Sequence, residues 1–276
     1  MAELSHESTG PLPAPRPDTP FGLLVGLYGA TILGLAAAAA VSAAGIGTAY
    51  PVGLGVGFLA VVLGTAGATR VPGLAVRLGA TRLRWGLVAA PALFVPAAFA
   101  LNLSVRWTVF AFAAAVGGTV WGAFLAVASH TRYTRAVVDE ATVDGEWRAR
   151  QGPTQRRNAL LAAAGLTIAG MVAFLAGLFT ENWAVQSVGQ VLIPAGAGFV
   201  GYARSSRYRA SSAGLERRFP VARNLLPWAD CTGYAVTDEA ILIHRRRPWW
   251  PAVTIDREDV DTESVVAALD RYLDGR

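Results

Sequence analysis

Six long stretches of this chain are almost free of charged positions, at about residues 21–45, 51–69, 85–103, 108–130, 159–180 and 183–203. Each approaches the roughly 20 apolar residues that a helix needs to cross about 30 Å of hydrocarbon. Short segments rich in Arg, Gly and Pro separate them. The pattern predicts an α-helical integral membrane bundle of six spans over residues 21–203. Residues 1–20 are proline-rich and polar, the composition of a disordered tail. They lack the basic start of a signal peptide. Within them, Asp18-Thr19-Pro20 is placed to cap the first helix.

From about Phe219 the period changes. Trp228–Thr237 ("WADCTGYAVT"), Ala240–Arg246 ("AILIHRR") and Ala252–Asp256 ("AVTID") are short runs of strand formers, parted by "DEA" and "RPWWP". They read as a meander of two or three strands. Val265, Val266, Leu269, Tyr272 and Leu273 then share one face of a helix that Asp261 or Thr262 caps. The predicted fold is therefore the six-span bundle, a basic juxtamembrane segment at 204–218, and a small C-terminal cytoplasmic α+β module at 219–276. So short a module buries little core. It is expected to lean on the basic segment or on the membrane.

Composition agrees with a membrane location: 53% of residues are hydrophobic, 16% are charged, and the mean hydropathy is +0.40. All 24 basic residues are Arg. Without Lys, no Schiff base, phosphate-loop Lys or Ser–Lys dyad can be built. The absence of Lys and the acidic final segment also point to a GC-rich, halophilic source. The net charge of +5 suggests nucleic-acid binding until its location is noted. The Arg cluster between apolar runs, in 70–84, 131–158 and 204–218, which is the signature of membrane orientation. With six spans those segments share the cytoplasmic side, and so do both termini. The expected location is the cell membrane, the expected partner is the bilayer, and nucleic acid is not expected.

Chemistry inside the spans is sparse. No acid occurs from Thr19 to Val138, although proton-coupled transporters retain intramembrane carboxylates for work. Small residues recur at helical spacing: Gly22 and Gly26, Gly53 and Gly57, Gly118 and Gly122, and Ala169, Ala173 and Gly177. They suit close helix packing inside the bundle, or a homo-oligomer face. Pro91, Pro96 and Pro194 remove backbone donors, which neighbouring helices must compensate. Gln186 and Gln190 share one helix face. With Asn102 they are candidates for a neutral polar path, the basis of an alternative reading as a small-solute transporter or channel subunit. No span holds a pair of His, Asp or Glu, so an enzyme is not expected. Cys231 is the single cysteine, and His6, His130 and His244 are far apart. Neither a metal nor a cofactor is expected. The acidic stretch "DREDVDTE" lacks the Gly and ligand spacing of a calcium loop.

The stretch "HRRRPWWPA" (His244–Ala252) combines what a solvated loop and a core each exclude. Arg pairs with phosphates, and Trp favours the headgroup boundary. Arg245, Arg246, Arg247, Trp249 and Trp250 are therefore candidates for contact with anionic lipid headgroups or a cytoplasmic protein. The other reading places both Trp over the module's own core. The segment "GYAVTDEAILIHRRRPWWPAVTIDREDVDTESVVAALDRYL" resembles the second half of bacterial PH-like domains attached to small membrane proteins. That resemblance implies a strand ending in "VTD", a hairpin, a further strand and a C-terminal helix. The whole chain, including "RYTRAVVDE" and "EWRAR" within Arg132–Arg150, resembles multispanning haloarchaeal membrane proteins. This implies a membrane location and brings no activity with it.

Overall fold

The computed structural model describes residues 18–43, 49–100, 104–139, 141–220, 222–247, 250–273 and 275. The proline-rich tail before Asp18 lies outside them. The chain forms two compact units, residues 1–136 and 137–276.

In the first unit, α1 (Thr19–Ala43) and α2 (Ala49–Arg70) form an antiparallel pair. Asp18 caps α1 as the sequence predicts, its carboxylate accepting the Phe21 N–H at 3.1 Å. Small residues let the two backbones meet. A Cβ on Gly26 would stand 2.6 Å from the Val61 carbonyl oxygen, and one on Gly34 2.9 Å from that of Gly53. This is dispersion packing of the kind lipid-embedded helices rely on.

The third apolar run is not one helix. A short α3 (Leu74–Ala80) precedes it, and the run itself is α4 (Leu83–Ala89), a 3-10 turn over Ala90–Leu93, and α5 (Phe94–Ala100). Pro91 cannot donate to the carbonyl one turn back, that of Leu87. The Tyr28 hydroxyl from α1 donates to that carbonyl instead, at 3.0 Å. The compensation expected from a neighbouring helix is thus a single named bond.

The next helix, α6 (Val105–Asp139), has 35 residues, about 52 Å at 1.5 Å per residue. That is well beyond the hydrocarbon thickness. Gly118 lets α6 approach Pro91, where a Cβ would stand 2.7 Å from the ring. Arg132 of α6 pairs with Asp18 through Nη2–Oδ1 at 2.8 Å, while its guanidinium lies 5.2 Å from the Phe21 ring centre.

The second unit departs most from the sequence reading. After α6 comes a strand, β1 (Val143–Ala149), in a segment read from sequence only as a basic loop. Then α7 (Pro153–Phe179) and α8 (Trp183–Ala203) form a tight helical hairpin. A Cβ on Gly196 would come 2.8 Å from the Ala163 carbonyl oxygen. The chain continues directly into β2 (Ser206–Ser211), β3 (Gly214–Arg218) and β4 (Arg223–Leu226). β2 and β3 occupy the segment read as juxtamembrane, where Arg207 and Arg209 of β2 alternate with the core residues Tyr208 and Ala210. The four strands form one antiparallel sheet in chain order.

β5 (Cys231–Val236), β6 (Ala240–Arg245) and β7 (Val253–Asp256) form a second antiparallel sheet, followed by α9 (Thr262–Leu269). These match the predicted meander and helix. Seven strands are therefore present among the described residues, against the two or three predicted. Both sheets and α9 share one core. Ala149, Tyr208, Leu215 and Leu226 of the first sheet meet Tyr234, Ile241, Ile243 and Ile255 of the second, with Val265 and Leu269. The support that the short C-terminal segment needs comes from these added strands.

β1 pairs with β2 with Ala149 opposite Ser206. The α7–α8 hairpin is thus an insertion in the turn of a β-hairpin. Trp147 lies opposite Tyr208 and stacks on it, ring centres 6.4 Å apart.

Among the described residues, four helices are long and apolar enough to cross a membrane: Thr19–Val41, Ala49–Arg70, Phe110–Asp139 and Pro153–Phe179. The broken segment Leu83–Ala98 and the stretch Val185–Gly201 of α8 are shorter apolar helices. The protein is a helical membrane protein carrying a small β-rich region.

Candidate membrane-surface site

The sequence singles out the β6–β7 connection, and its surroundings can be built outward from α7. Between β1 and α7 the chain is stitched to β7 and the turn after it. The Arg150 carbonyl accepts the Asp256 N–H at 3.0 Å, and the Arg150 guanidinium forks onto Asp259 at 2.9 and 2.8 Å. That fork holds the Asp259 carboxyl below its ordinary 3.8. Thr254 Oγ1 accepts the Gly152 N–H at 3.1 Å and donates to Gln155 Oε1 at 2.9 Å. The same Gln155 amide donates through Nε2 to the Ala252 carbonyl at 2.6 Å. Pro153 opens α7, where its missing N–H costs nothing. Ala252, at the end of the "RRRPWW" turn, is therefore bonded to the first turn of α7.

The turn itself presents cations. Arg246 and Arg247 are exposed, and the Arg246 N–H is anchored on the Asp230 carbonyl at 2.8 Å. Arg245 is half-buried and lies over the Trp250 ring, 5.1 Å from its centre. Trp250 is 48% exposed and is not among the described residues of the shared core. Trp249 and Pro248 lie outside the described residues.

Charge is polarised along this unit. Gln155, in the first turn of α7, is bonded at the end of β7 at which Arg245, Arg246 and Arg247 sit, and the next residue, Arg156, acts on the charge of Asp259 beyond the other end. Asp238, Glu239, Glu258, Asp261 and Glu263 gather at the opposite ends of β6 and β7, where the Glu239 carbonyl accepts the Arg257 N–H. The six residues of β6 separate the two ends, by about 17 Å at 3.4 Å per residue.

Beneath the turn is a cavity of about 70 Å³ between the two sheets. Arg217 of β3 and Arg245 line it together with Gln151, Gln155, Tyr208 and Asn224. Arg217 is only 8% exposed, and its guanidinium lies 4.4 Å from the Phe219 ring centre and 5.6 Å from that of Tyr208. Sequence reasoning passed over Arg217 because it stands in "LERR" among solvated-looking Arg. The signal present was its register. Arg217 lies opposite Tyr208 and two residues after the core residue Leu215.

Its neighbour Glu216 faces the other side of the sheet and is fully buried. There Arg218 lies 2.9 Å away, Arg223 3.4 Å and Arg209 4.0 Å.

The other candidates do not converge. Gln186 is half-buried on α8 beside Gly177 of α7, and Gln190 is exposed one turn on. Asn102 lies outside the described residues, so the described residues assemble no polar path from the three. Cys231 is buried and its thiol is pushed up to about 11 by desolvation, which makes it packing material rather than a nucleophile. His244 lies opposite Gly233 in the β5–β6 pair. Among the described residues no group of three or more His, Cys, Asp or Glu is placed to hold a metal.

No family model, curated protein or solved structure matches the chain.

Proposed function

We propose that this chain is a non-enzymatic, six-span membrane protein with both termini in the cytoplasm. Its β-rich unit is held against the inner membrane surface and contacts anionic headgroups through Arg245, Arg246, Arg247 and Trp250. The observation that carries this reading is the hydrogen bond from Gln155 to the Ala252 carbonyl. Gln155 precedes the apolar part of α7, which starts near Ala159, by one turn, about 6 Å along the axis. The headgroup layer is about 5–8 Å deep on each side of the hydrocarbon. The turn thus falls at headgroup depth, and Trp250 has the half-exposed setting that Trp prefers there.

The order of the C-terminal elements supports the PH-like reading of that segment. The order β5, β6, β7 and then α9 is the strand, hairpin, further strand and C-terminal helix that the resemblance implies for this segment. In this proposal the domain begins at β1 and carries the α7–α8 hairpin between its first two strands.

The test uses the full chain in nanodiscs. Hydrogen exchange over residues 245–252 should slow in anionic compared with neutral lipid, and salt should erase the difference because each Arg near the surface gains only about 1 kcal/mol. Arg246→Ser with Arg247→Ser should erase it as well. Equal exchange in both lipids at low salt would overturn the surface reading. Reporter fusions ending at residues 75 and 140 should both read cytoplasmic, and an external signal at 140 would overturn the topology.

The transporter alternative draws its support from the broken segment Leu83–Ala100, because interrupted helices line solute paths in many transporters. Solute flux in vesicles containing the full chain tests it.

A further inference from the structure

We propose that the first sheet binds the phosphate of an anionic lipid headgroup through Arg148, Arg204 and Arg207, at a site separate from the β6–β7 turn. The proposal rests on the reading above for the unit's place at the membrane surface, and on strand register for the site itself. Arg148 of β1 stands opposite Arg207 of β2, Arg207 opposite Arg218 of β3, and Arg218 opposite Arg223 of β4. By strand alternation these four share the face turned away from the core residues Ala149, Tyr208 and Leu215. One row across all four strands is therefore Arg, over three strand spacings or about 14 Å. The next row on the same face is Glu146, Arg209 and Glu216, which alternates in sign. Opposite charges facing each other across strands stabilise a sheet, and like charges there destabilise it. The sheet thus has the favourable pattern in one row and the unfavourable one in the row beside it.

The all-Arg row is the one nearer the helices. β1 runs toward α7 and β2 leads away from α8, so Arg148 and Arg207 lie between the Glu146 row and the helix ends. Arg204 stands three residues past the apolar stretch Val185–Gly201, about 5 Å at 1.5 Å per residue, which is headgroup depth. Arg207 follows within about 10 Å of extended chain.

The carboxylates of this face leave the helix-side corner positive. Glu216 is fully buried and holds Arg218 at 2.9 Å and Arg223 at 3.4 Å. Glu146 is shared between Arg207 at 3.3 Å and Arg209 at 3.2 Å. The Arg148 guanidinium donates to the Ser205 hydroxyl at 3.2 Å, and among the described residues no carboxylate is in ion-pair reach of Arg148 or Arg204. Arg148 and Arg204 are exposed, and the Arg207 side chain is 59% exposed. Facing Cα atoms in an antiparallel pair are about 4.5–5.5 Å apart, so the guanidinium groups of Arg148 and Arg207 can close on the two free oxygens of one phosphodiester. A bound phosphate cancels the repulsion that the row carries without it.

The test titrates the full chain in neutral maltoside micelles with dioctanoyl phosphatidylglycerol or dioctanoyl phosphatidylcholine, and follows thermal unfolding. A saturable rise in unfolding temperature is expected with phosphatidylglycerol alone. Arg148→Gln with Arg207→Gln should shift that titration to about tenfold higher lipid. Without anionic lipid the same variant should unfold at the wild-type temperature or above, because the repulsion is relieved. If it unfolds lower, Arg204→Gln, outside the strands, decides: the titration should weaken while lipid-free stability stays unchanged. Arg246→Ser with Arg247→Ser removes as many charges from the turn and should leave the titration in place. Conversely, Arg148→Gln with Arg207→Gln should keep the slowed exchange over residues 245–252 in anionic nanodiscs, so the sheet site and the turn fail separately. An equal rise with both lipids, a titration unchanged in the Arg148 and Arg207 variant or in Arg204→Gln, or equal weakening in the turn variant would overturn the site.

Discussion

Two helical hairpins in this protein use the same packing chemistry and are secured in opposite ways. In α1–α2 and in α7–α8, glycines bring the helix backbones into contact, with Gly26 against Val61 in one pair and Gly196 against Ala163 in the other. The free ends of α1–α2 are held by side chains: Asp18 on Arg132, and Phe21 within the small cluster with Ala75 and Leu125. The ends of α7–α8 continue as β1 and β2, whose ladder ties residue 149 to residue 206. The same helix packing can therefore accompany side-chain contacts or a strand ladder at the helix ends. A strand ladder transmits position in a way that one ion pair does not.

The largest effect should come from breaking the charge network on the sheet that clamps α7–α8. Glu216→Ala leaves Arg209, Arg218 and Arg223 facing one another around a buried gap, and should cost about 3–5 kcal/mol. Hydrogen exchange should then rise across β2, β3 and the first turn of α7, while α1 stays unchanged. A uniform rise in both hairpins would erase the contrast.

Overpacking each hairpin comes next. Gly26→Leu and Gly196→Leu should each cost about 1–3 kcal/mol, read from unfolding in mixed micelles. Distances between spin labels at the open ends should grow for α1–α2 and hold for α7–α8, because β1–β2 pairing keeps the latter together.

A smaller, pH-dependent effect concerns the last residues of the β-rich unit. Tyr272 and Arg271 both donate to Asp144 of β1, and Trp228 stacks on Tyr272 with ring centres 4.9 Å apart. Those donors, Tyr272 first, hold the Asp144 carboxyl below its ordinary 3.8. A lowered carboxyl contributes stability that is present above 3.8 and is lost as pH falls through the folded value. Tyr272, raised to about 12 chiefly by burial, and Tyr234, raised to about 12 chiefly by its bond to Asp270, act in the other direction. Their contribution is present below 10 and lost as pH rises through about 12. Proteolysis near Tyr272 should therefore accelerate below about pH 4, and Asp144→Asn should remove that acid dependence.

The smallest effects belong to single polar groups in the helices. Tyr28→Phe leaves the Leu87 carbonyl without its donor and should cost about 0.6 kcal/mol. Gln190→Leu should change stability by about 1 kcal/mol or less. A loss of solute flux with the fold intact would instead favour the transporter reading.

How much could be read in advance follows from where partners lie along the chain. The helices were legible because a membrane helix satisfies its own backbone, so about 20 apolar residues are enough to announce one. β5, β6 and β7 were legible because each pairs with its neighbour in sequence. β1 was not, since its partner β2 lies beyond α7 and α8. β2 and β3 were hidden for another reason: "SRYRAS" and "GLERR" carry so many Arg that the basic character masks the alternation of Tyr208, Ala210 and Leu215. In the candidate site, Arg245, Arg246, Arg247 and Trp250 stood out by composition. Arg217 did not, because burial is decided by the register of β3 against β2.

The sequence by itself determined that this is a membrane protein, where its apolar helices run, that Asp18 caps the first, and that the chain ends in strands and a helix. These are local properties, set by transfer of side chains out of water and by hydrogen bonds within a few residues. Only the tertiary structure decided that the β-rich unit begins before α7, that Tyr28 answers the break at Pro91, and that one Arg of a basic run is buried while the next is not. Each depends on residues far apart in the chain, and loop closure rather than local preference sets which of them meet.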